Sequence, residues 1–289
     1  MSSLRPLVPE PVPEQDLPLG VPITPSRRFS SRAIAVLSCV QKYSTVPLGV
    51  FAAVHLSGVV AAPPTAGVGI AEQLMSMGRE LYQNGVSETV LLASVTAHVV
   101  SGIAIQAIRK WQNYIKYGKK KKSKRQQYGE KEERPDTSTG LGGITYLLGL
   151  GSRPSLSFRM FGLTPLRFSG YVLIPVVAYH VGQERLAPLF VEGDSSMVDL
   201  SYVSYSLAQS PILASIGLTF LVTVATYHFS LGLLHYIGVF THRARKNAYI
   251  AILSNTVLAA LSLFAISKID QPSAFVARKY SQYLSYLRY

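Results

Sequence analysis

A chain of 289 residues, 48% of them hydrophobic, with mean hydropathy +0.24, is too apolar for a water-soluble enzyme, and its longest apolar runs match the roughly 20 residues that cross a bilayer. The formal charge of +13 would ordinarily point to nucleic acid, but the cations gather in one loop and one turn beside apolar runs, so no nucleic-acid partner is expected. A single cysteine, Cys39, excludes an internal disulfide, and catalytic triads, glycine-rich phosphate loops and HExxH-type metal motifs are all absent, so no catalytic residues are assigned.

Residues 1–30 read as a disordered, proline-rich arm, because proline removes backbone donors and favours an extended chain. Its first 26 residues hold Glu10, Glu14 and Asp16 against one cation, Arg5, unlike the Arg-rich, acid-poor presequence of a matrix-directed protein. Residues 31–42 suit a short interfacial helix. The expected fold is an all-α integral membrane protein, with a transmembrane domain over 31–270. Its five spans fall at about 43–63, 88–108, 166–183, 211–240 and 247–267. A small-residue loop joins the first two. From Arg109 to Pro135 the chain carries eleven Lys/Arg and three acids, a solvated basic loop. Residues 139–163 are glycine-rich and suit the interface. The loop 184–210 holds Arg185 against Glu184, Glu192, Asp194 and Asp199. The tail, 271–289, spaces Tyr280, Tyr283, Tyr286 and Tyr289 three apart, which suits a helix at the membrane–water boundary.

With five spans, the arm, the Lys-rich loop and the "HRARK" turn share one side, and the acidic loop and C-terminus share the other. The basic bias assigns the first side to the cytosol. The same cations would attract anionic headgroups of a phospholipid membrane.

The first two spans echo the third and fourth, one histidine per helix: "VPLGVFAAVHLSG" pairs with "LIPVVAYHVG", and "SVTAHVVSG" with "TVATYHFSLG". Counted from the flanking cations, His98 lies roughly 16 Å from Arg109, His228 roughly 22 Å from Arg243, and His55 and His180 each roughly 20 Å from Lys42 and Arg167. All four therefore belong near mid-bilayer, with His235 and His242 nearer the cytosol. Ionisable groups inside a membrane are costly and point to function. Two facing imidazoles with small residues beside them, as in "HLSG", "HVVSG" and "HFSLG", suit bis-histidine ligation of haem b. Diagonal helices of a bundle meet across its core, so one haem is expected on His98 and His228, with His55 and His180 as second choice. Zinc fits less well, because no carboxylate or cysteine joins the cluster.

The "HLSG", "HVVSG" and "LRFSG" elements resemble the haem-bearing membrane subunits of succinate dehydrogenase and fumarate reductase in their five-helix form. The whole layout (proline-rich arm, five spans, basic second loop, histidines on spans one to four) resembles more closely the fungal mitochondrial outer-membrane MCP-type proteins, of the same cytochrome-b-like superfamily. That resemblance implies an adaptor at organelle contact sites. It implies recruitment of a bridge-like lipid-transfer protein of the vacuolar protein sorting group by a Pro-x-Pro motif, and scramblase-like movement of lipid between leaflets. Here Pro9-Glu10-Pro11 and Pro11-Val12-Pro13 overlap, with Leu7, Val8, Val12 and Leu17 as apolar neighbours, so the register stays open. An extended, proline-stiffened segment suits capture along a sheet edge or in an aromatic groove. Scrambling would need a polar track, for which Thr96, Ser101, Tyr179, Thr223, Thr226, Tyr227 and Ser230 are available.

Two classes of function follow. One is a non-enzymatic contact-site adaptor that also scrambles phospholipid. The other is a haem-b electron-transfer subunit linked to a quinone, which would need a redox partner. Self-association into a homodimer is left open.

Overall fold

The computed structural model describes residues 25–117 and 155–286, and among them it contains helices and no strand. Helix α1 (Pro25–Tyr43) and α2 (Thr45–Leu56) form one rod with a break at Ser44. The rod runs on through a π-helical turn, Ser57–Ala61, into α3 (Ala62–Thr65). At Gly67, φ is +90°, a conformation that favours glycine, and the chain reverses there into α4 (Val68–Tyr82). Helix α5 (Gly85–Tyr117) then runs antiparallel to α1, tied to it by Gln112 Nε2 donating to Ser30 Oγ at 2.8 Å.

The second half repeats this order. After a short helix α6 (Leu156–Phe161) comes α7 (Pro165–Val181), a second π turn (Gly182–Leu186) and α8 (Ala187–Glu192). Helix α9 (Leu200–Gln209) leads to α10 (Pro211–Ile237), and α11 (His242–Ile266) folds back along α10. Gly238, at φ +71°, closes α10, and Thr241 Oγ1 accepts from Ala244 N to open α11. Helix α12 (Ala274–Tyr286) lies across α8 and α9.

Among the described residues, four helices are long and apolar enough to cross a membrane: Ser30–Thr65, Gly85–Ile115, Pro211–Ile237 and His242–Ile266. Their outer faces expose Val50, Leu92, Ile216, Phe220, Leu253 and Leu261, whereas their inner faces bury Ser101, Thr226, Ala259 and Ser262. Large apolar groups outside and small or hydroxyl groups inside is the pattern expected where lipid is the solvent. The remaining expected span, 166–183, corresponds to α7. It has 17 α-helical residues, and its hydropathy is lowered by Arg167, Tyr171, Tyr179 and His180.

Several expectations need correcting. Residues 25–30, placed in the arm, start a helix that continues without a break through 31–42. The loop between the first two spans is largely the helices α3 and α4, because α4 buries Ala71 against Ala62, Leu200 and Leu207. Span two continues as helix to Tyr117, so the basic loop starts later than Arg109. The loop 184–210 is two helices and an intervening turn. The tail is helical, but Tyr280 and Tyr283 are buried against Ala187 and Tyr202 and only Tyr286 is exposed, since Tyr280 Oη bonds Asp199 Oδ1 at 3.0 Å. The rest of the basic loop and Tyr289 lie outside the described residues.

Every acidic residue among the described residues sits at one end of the bundle, with α4, α8, α9 and α12. At that acidic end Arg79 closes the two halves. Its guanidinium donates to the carbonyls of Ser195 (2.5 Å), Ser196 (3.2 Å) and Val198 (2.7 Å). Arg185 pairs with both carboxylate oxygens of Glu88 at 2.9 and 2.8 Å and donates to Ser195 Oγ. At the opposite, cationic end lie Arg109, Lys110, Arg167, Arg243 and Lys246.

Two predictions follow from the acidic end. Removing the Arg79 guanidinium strands three carbonyls at about 1–3 kcal/mol for a lost charged bond; Arg79→Met is therefore expected to lower the melting temperature in detergent, and an unchanged melting curve would count against the clamp. The partly buried carboxyl of Glu184, in the second π turn, is pushed up to about 7 by burial. The folded protein then holds a proton that the unfolded chain has released, so stability falls as pH rises from about 4.5 through 7. Glu184→Gln should raise the melting temperature at pH 8 and leave it unchanged at pH 4.

Candidate functional site

Helices α5 and α10 bring His98 and His228 together, with ring centres 6.1 Å apart and planes at 89°. Helices α2 and α7 bring His55 and His180 together, at 6.2 Å and 64°. The favoured pair and the second-choice pair are thus both brought face to face. The expectation of one shared depth is wrong. The His98 ring bonds Gln41 O, fourteen residues before His55 on the α1–α2 rod. The His228 ring packs on Gly170, ten residues before His180 on α7. At the helical rise the two pairs are therefore separated by roughly 15–20 Å along the bundle. The flanking cations misled the depth count because Lys42 lies beside the His98 layer rather than at the membrane edge. Two pairs at one depth would have competed for one central site, which is why a single haem is expected from the sequence; at separate levels each pair has its own part of the core.

The tautomers of the lower pair are set by geometry. His98 Nδ1 lies 3.1 Å from Gln41 O, and His228 Nδ1 lies 3.2 Å from Leu166 O. A carbonyl can only accept, so both Nδ1 atoms carry the proton. Ser169 Oγ, 3.1 Å from His228 Nδ1, itself donates to Leu166 O at 2.8 Å and holds the same arrangement. Each Nε2 is left as an acceptor, with no hydrogen-bond partner among the described residues. Nδ1–H on a backbone carbonyl with Nε2 free is how metal-bound imidazoles are held and oriented. Two imidazoles sharing one metal at about 2.0–2.1 Å have ring centres roughly 6 Å apart, which both pairs match.

Glycine makes the lower layer possible. A Cβ on Gly170 would stand 2.9 Å from His228 Cε1, whereas one on Gly102, a turn beyond His98, would meet only the flexible end of the Gln41 side chain. The upper layer is held differently. His55 stacks on Phe51 at 5.2 Å, and its Nδ1 lies 3.4 Å from Tyr82 Oη.

A second feature marks the upper pair. Each of its histidines is followed, two residues later, by a π turn, at Ser57–Ala61 and Gly182–Leu186. A π turn upsets the regular helical ladder, and π turns gather at functional sites. Carbonyls in each turn find a hydroxyl on another helix: Ser262 Oγ donates to Val59 O at 2.7 Å, and Tyr202 Oη to Gln183 O at 3.5 Å. The sequence does carry a signal for this, His-x6-Ala-Pro, at His55–Pro63 and again at His180–Pro188. Its alanines and prolines are buried in both copies. The repeat segments around His55 and His180 end at Gly58 and Gly182, short of this signal. Sequence reasoning also missed Tyr82, Ser169 and Gly170.

The other expected site residues do not gather here. His235 packs with Tyr236 and Phe240 near the end of α10, and His242 begins α11. Thr223 Oγ1 lies 3.0 Å from Thr256 Oγ1 and donates to its own helix at Thr219 O, as Ser101 does at Ala97 O. Pro9, Pro11, Val12, Pro13 and Leu17 lie outside the described residues.

Comparison with known proteins gives a consistent answer. The chain is similar to the mitochondrial adapter protein MCP1 of Saccharomyces cerevisiae, with 25% identity over 258 residues, covering 87% of this chain and 80% of that relative. No solved structure matches. The family model described as the transmembrane domain of MDM10-complementing protein 1 matches residues 50–151 and 175–270. Those residues include all four paired histidines and both π turns, and they make up more than half the chain, so the chain belongs to the MDM10-complementing protein 1 transmembrane-domain family.

Proposed function

We propose that this protein is an adaptor in the mitochondrial outer membrane that recruits a bridge-like lipid-transfer protein through its N-terminal Pro-x-Pro segment and equilibrates phospholipid between leaflets. Family membership together with a relative named as a mitochondrial adapter carries the reading. The segregation of charge supports the orientation. The end with the N-terminal helix carries only cations among the described residues, which suits the cytosolic side. Helix α7 serves as a fifth span. It lies within the bundle, with Tyr171 Oη donating to Gln106 Oε1 at 2.6 Å on one side and Ser169 meeting His228 on the other. The protein has no catalytic role in this reading. Its arm captures the partner in extended form, with alternate side chains such as Val12 and Leu17 filling pockets.

Deleting residues 6–18 should abolish co-purification of the lipid-transfer partner while leaving the membrane domain folded. Substituting Pro9, Pro11 and Pro13 one at a time should then define the register. Recruitment that survives the deletion would remove the arm from its role.

The paired imidazoles favour a second, compatible reading, haem b held by His98 with His228 and by His55 with His180. The ring separations, the protonated Nδ1 atoms of the lower pair and the glycine at Gly170 fit such a group. Bound there, haem supplies one-electron transfer, and a quinone-linked partner would complete the exchange. The chain's own contribution is orientation: Gln41 O and Leu166 O hold each lower ring with Nε2 free. Protein purified from haem-replete cells should show a Soret band that sharpens on dithionite reduction. His98→Ala with His228→Ala should remove about half of that absorbance, and His55→Ala with His180→Ala the other half. A featureless wild-type spectrum would reduce the histidines to packing groups.

A further inference from the structure

The seam between α10 and α11 faces away from the histidines. Taking Ser215 as zero, Thr219, Thr223 and Thr226 project within roughly 80° of one another around α10, whereas His228 projects at roughly 220°. Near the acidic end this seam opens sideways as a groove of about 360 Å³, lined by Ser215, Thr219, Ala260, Phe264, Ser267 and Gln271 among others. Ala260, Phe264, Ser267 and Gln271 are exposed, so the groove opens to the surroundings of the bundle rather than to its core. Lys268 stands at its mouth, with Nζ 4.8 Å from the centre of the Phe264 ring. No carboxylate pairs with Lys268 among the described residues.

Farther down the seam, Thr223 Oγ1 and Thr256 Oγ1 meet at 3.0 Å across the two helices. Below them the hydroxyl oxygens of Thr226 and Tyr227 are buried with no hydrogen-bond partner among the described residues. A hydroxyl left unpaired in an apolar setting costs about 1–3 kcal/mol, so two in succession call for an occupant. The line from Ser215 to Thr226 covers eleven residues, or roughly 16 Å, over half of the apolar core of a bilayer. The seam ends among the exposed cations Arg243 and Lys246 at the start of α11.

We propose that the α10–α11 seam is the path of a phospholipid headgroup across the membrane, with its acidic-end entrance at Lys268, Ser267 and Gln271 and its acyl chains trailing outward past Ala260 and Phe264. This rests on the lipid-equilibrating part of the function proposed above. The barrier to an unassisted crossing is the loss of headgroup hydration. Lys268 meets the phosphate at the entrance. Rotatable hydroxyls one turn apart then replace its water in sequence, and the open side of the groove leaves the chains in lipid. Of the hydroxyls available to a track, Thr223, Thr226 and Tyr227 lie on this path. Ser101 and Thr96 lie on α5, away from this seam.

The test uses full-length protein in phosphatidylcholine vesicles carrying a headgroup-labelled fluorescent phosphatidylcholine, with dithionite quenching to read exchange between leaflets. In parallel, a phosphatidylcholine with a photoreactive acyl chain reads occupancy of the groove by crosslinking. Thr219, Thr223 and Thr226 are changed together to Val, which removes the hydroxyls and keeps the volume. Separately, Ala260→Trp fills the exposed groove, and Thr96→Val serves as control. The expected result is wild-type exchange, a slowing of about tenfold in the triple-Val and Ala260→Trp variants at unchanged melting temperature, and none in Thr96→Val. Crosslinks should map to residues 256–267 and disappear in Ala260→Trp. Wild-type rates in both seam variants, or crosslinks elsewhere, would overturn the path. Wild-type protein that crosslinks in the groove but does not exchange lipid would overturn the lipid-equilibrating reading instead, leaving the groove as a lipid site.

Discussion

Inside hydrocarbon there is no water to complete a hydrogen bond, and that constraint organises this molecule. Both π turns are answered by a hydroxyl from another helix. The first π turn is met by Ser262 at Val59 O, and the second by Tyr202 at Gln183 O. The imidazoles of His98 and His228 use the same device with the roles exchanged, donating to carbonyls of Gln41 and Leu166. These bonds fix the rotation of helices whose outer faces, coated with Val, Leu, Ile and Phe, carry no information about rotation at all.

The architecture is a doubled unit. In each half a histidine-bearing helix passes through a π turn into a buried Ala-Pro, turns over a cap helix and returns as a long second helix with its own histidine. Packing the two copies against each other turns four separate histidines into two facing pairs. The acidic end locks the copies together. Arg79 from the first half holds the loop carbonyls of the second, Arg185 from the second holds Glu88 of the first, and Glu72 accepts from Leu200 N. The lower pair is oriented by its carbonyl partners, whereas the upper pair stands next to the π turns and the acidic end. Helix α10 turns His228 toward α5 and α7 and its hydroxyls toward the seam with α11. The proposed cofactor and lipid roles can therefore coexist on one helix without sharing side chains.

The amphipathic separation was open to direct reading. Apolar runs near bilayer length, a basic loop and an acidic loop follow from composition, because lipid tolerates few alternatives. The pairing of His98 with His228 and of His55 with His180 was also legible, since helices running the same way in an up-down bundle face each other diagonally. Depth was not legible. It was counted from cations assumed to mark the membrane edge, and a lysine on a long flexible stem does not mark it. Lys42 lies level with the His98 layer, and only the contact between Gln41 and His98 reveals this. The helices α3, α4, α8 and α9 were taken for loops because their small and polar residues match a loop in composition. They become helical by burying Ala71, Ala187, Leu200 and Tyr202 against partners far away in the sequence.

By itself the sequence determined an all-helical chain in a membrane, its charge asymmetry, the histidines and the proline-rich arm, because hydrophobicity and charge act residue by residue. The tertiary structure decided that the histidines form two layers instead of one, which ring nitrogens stay free, and that the hydroxyls of α10 align with a groove on α11. Those properties depend on the relative rotation and offset of helices, which are set by a few hydrogen bonds and glycine contacts between residues tens of positions apart.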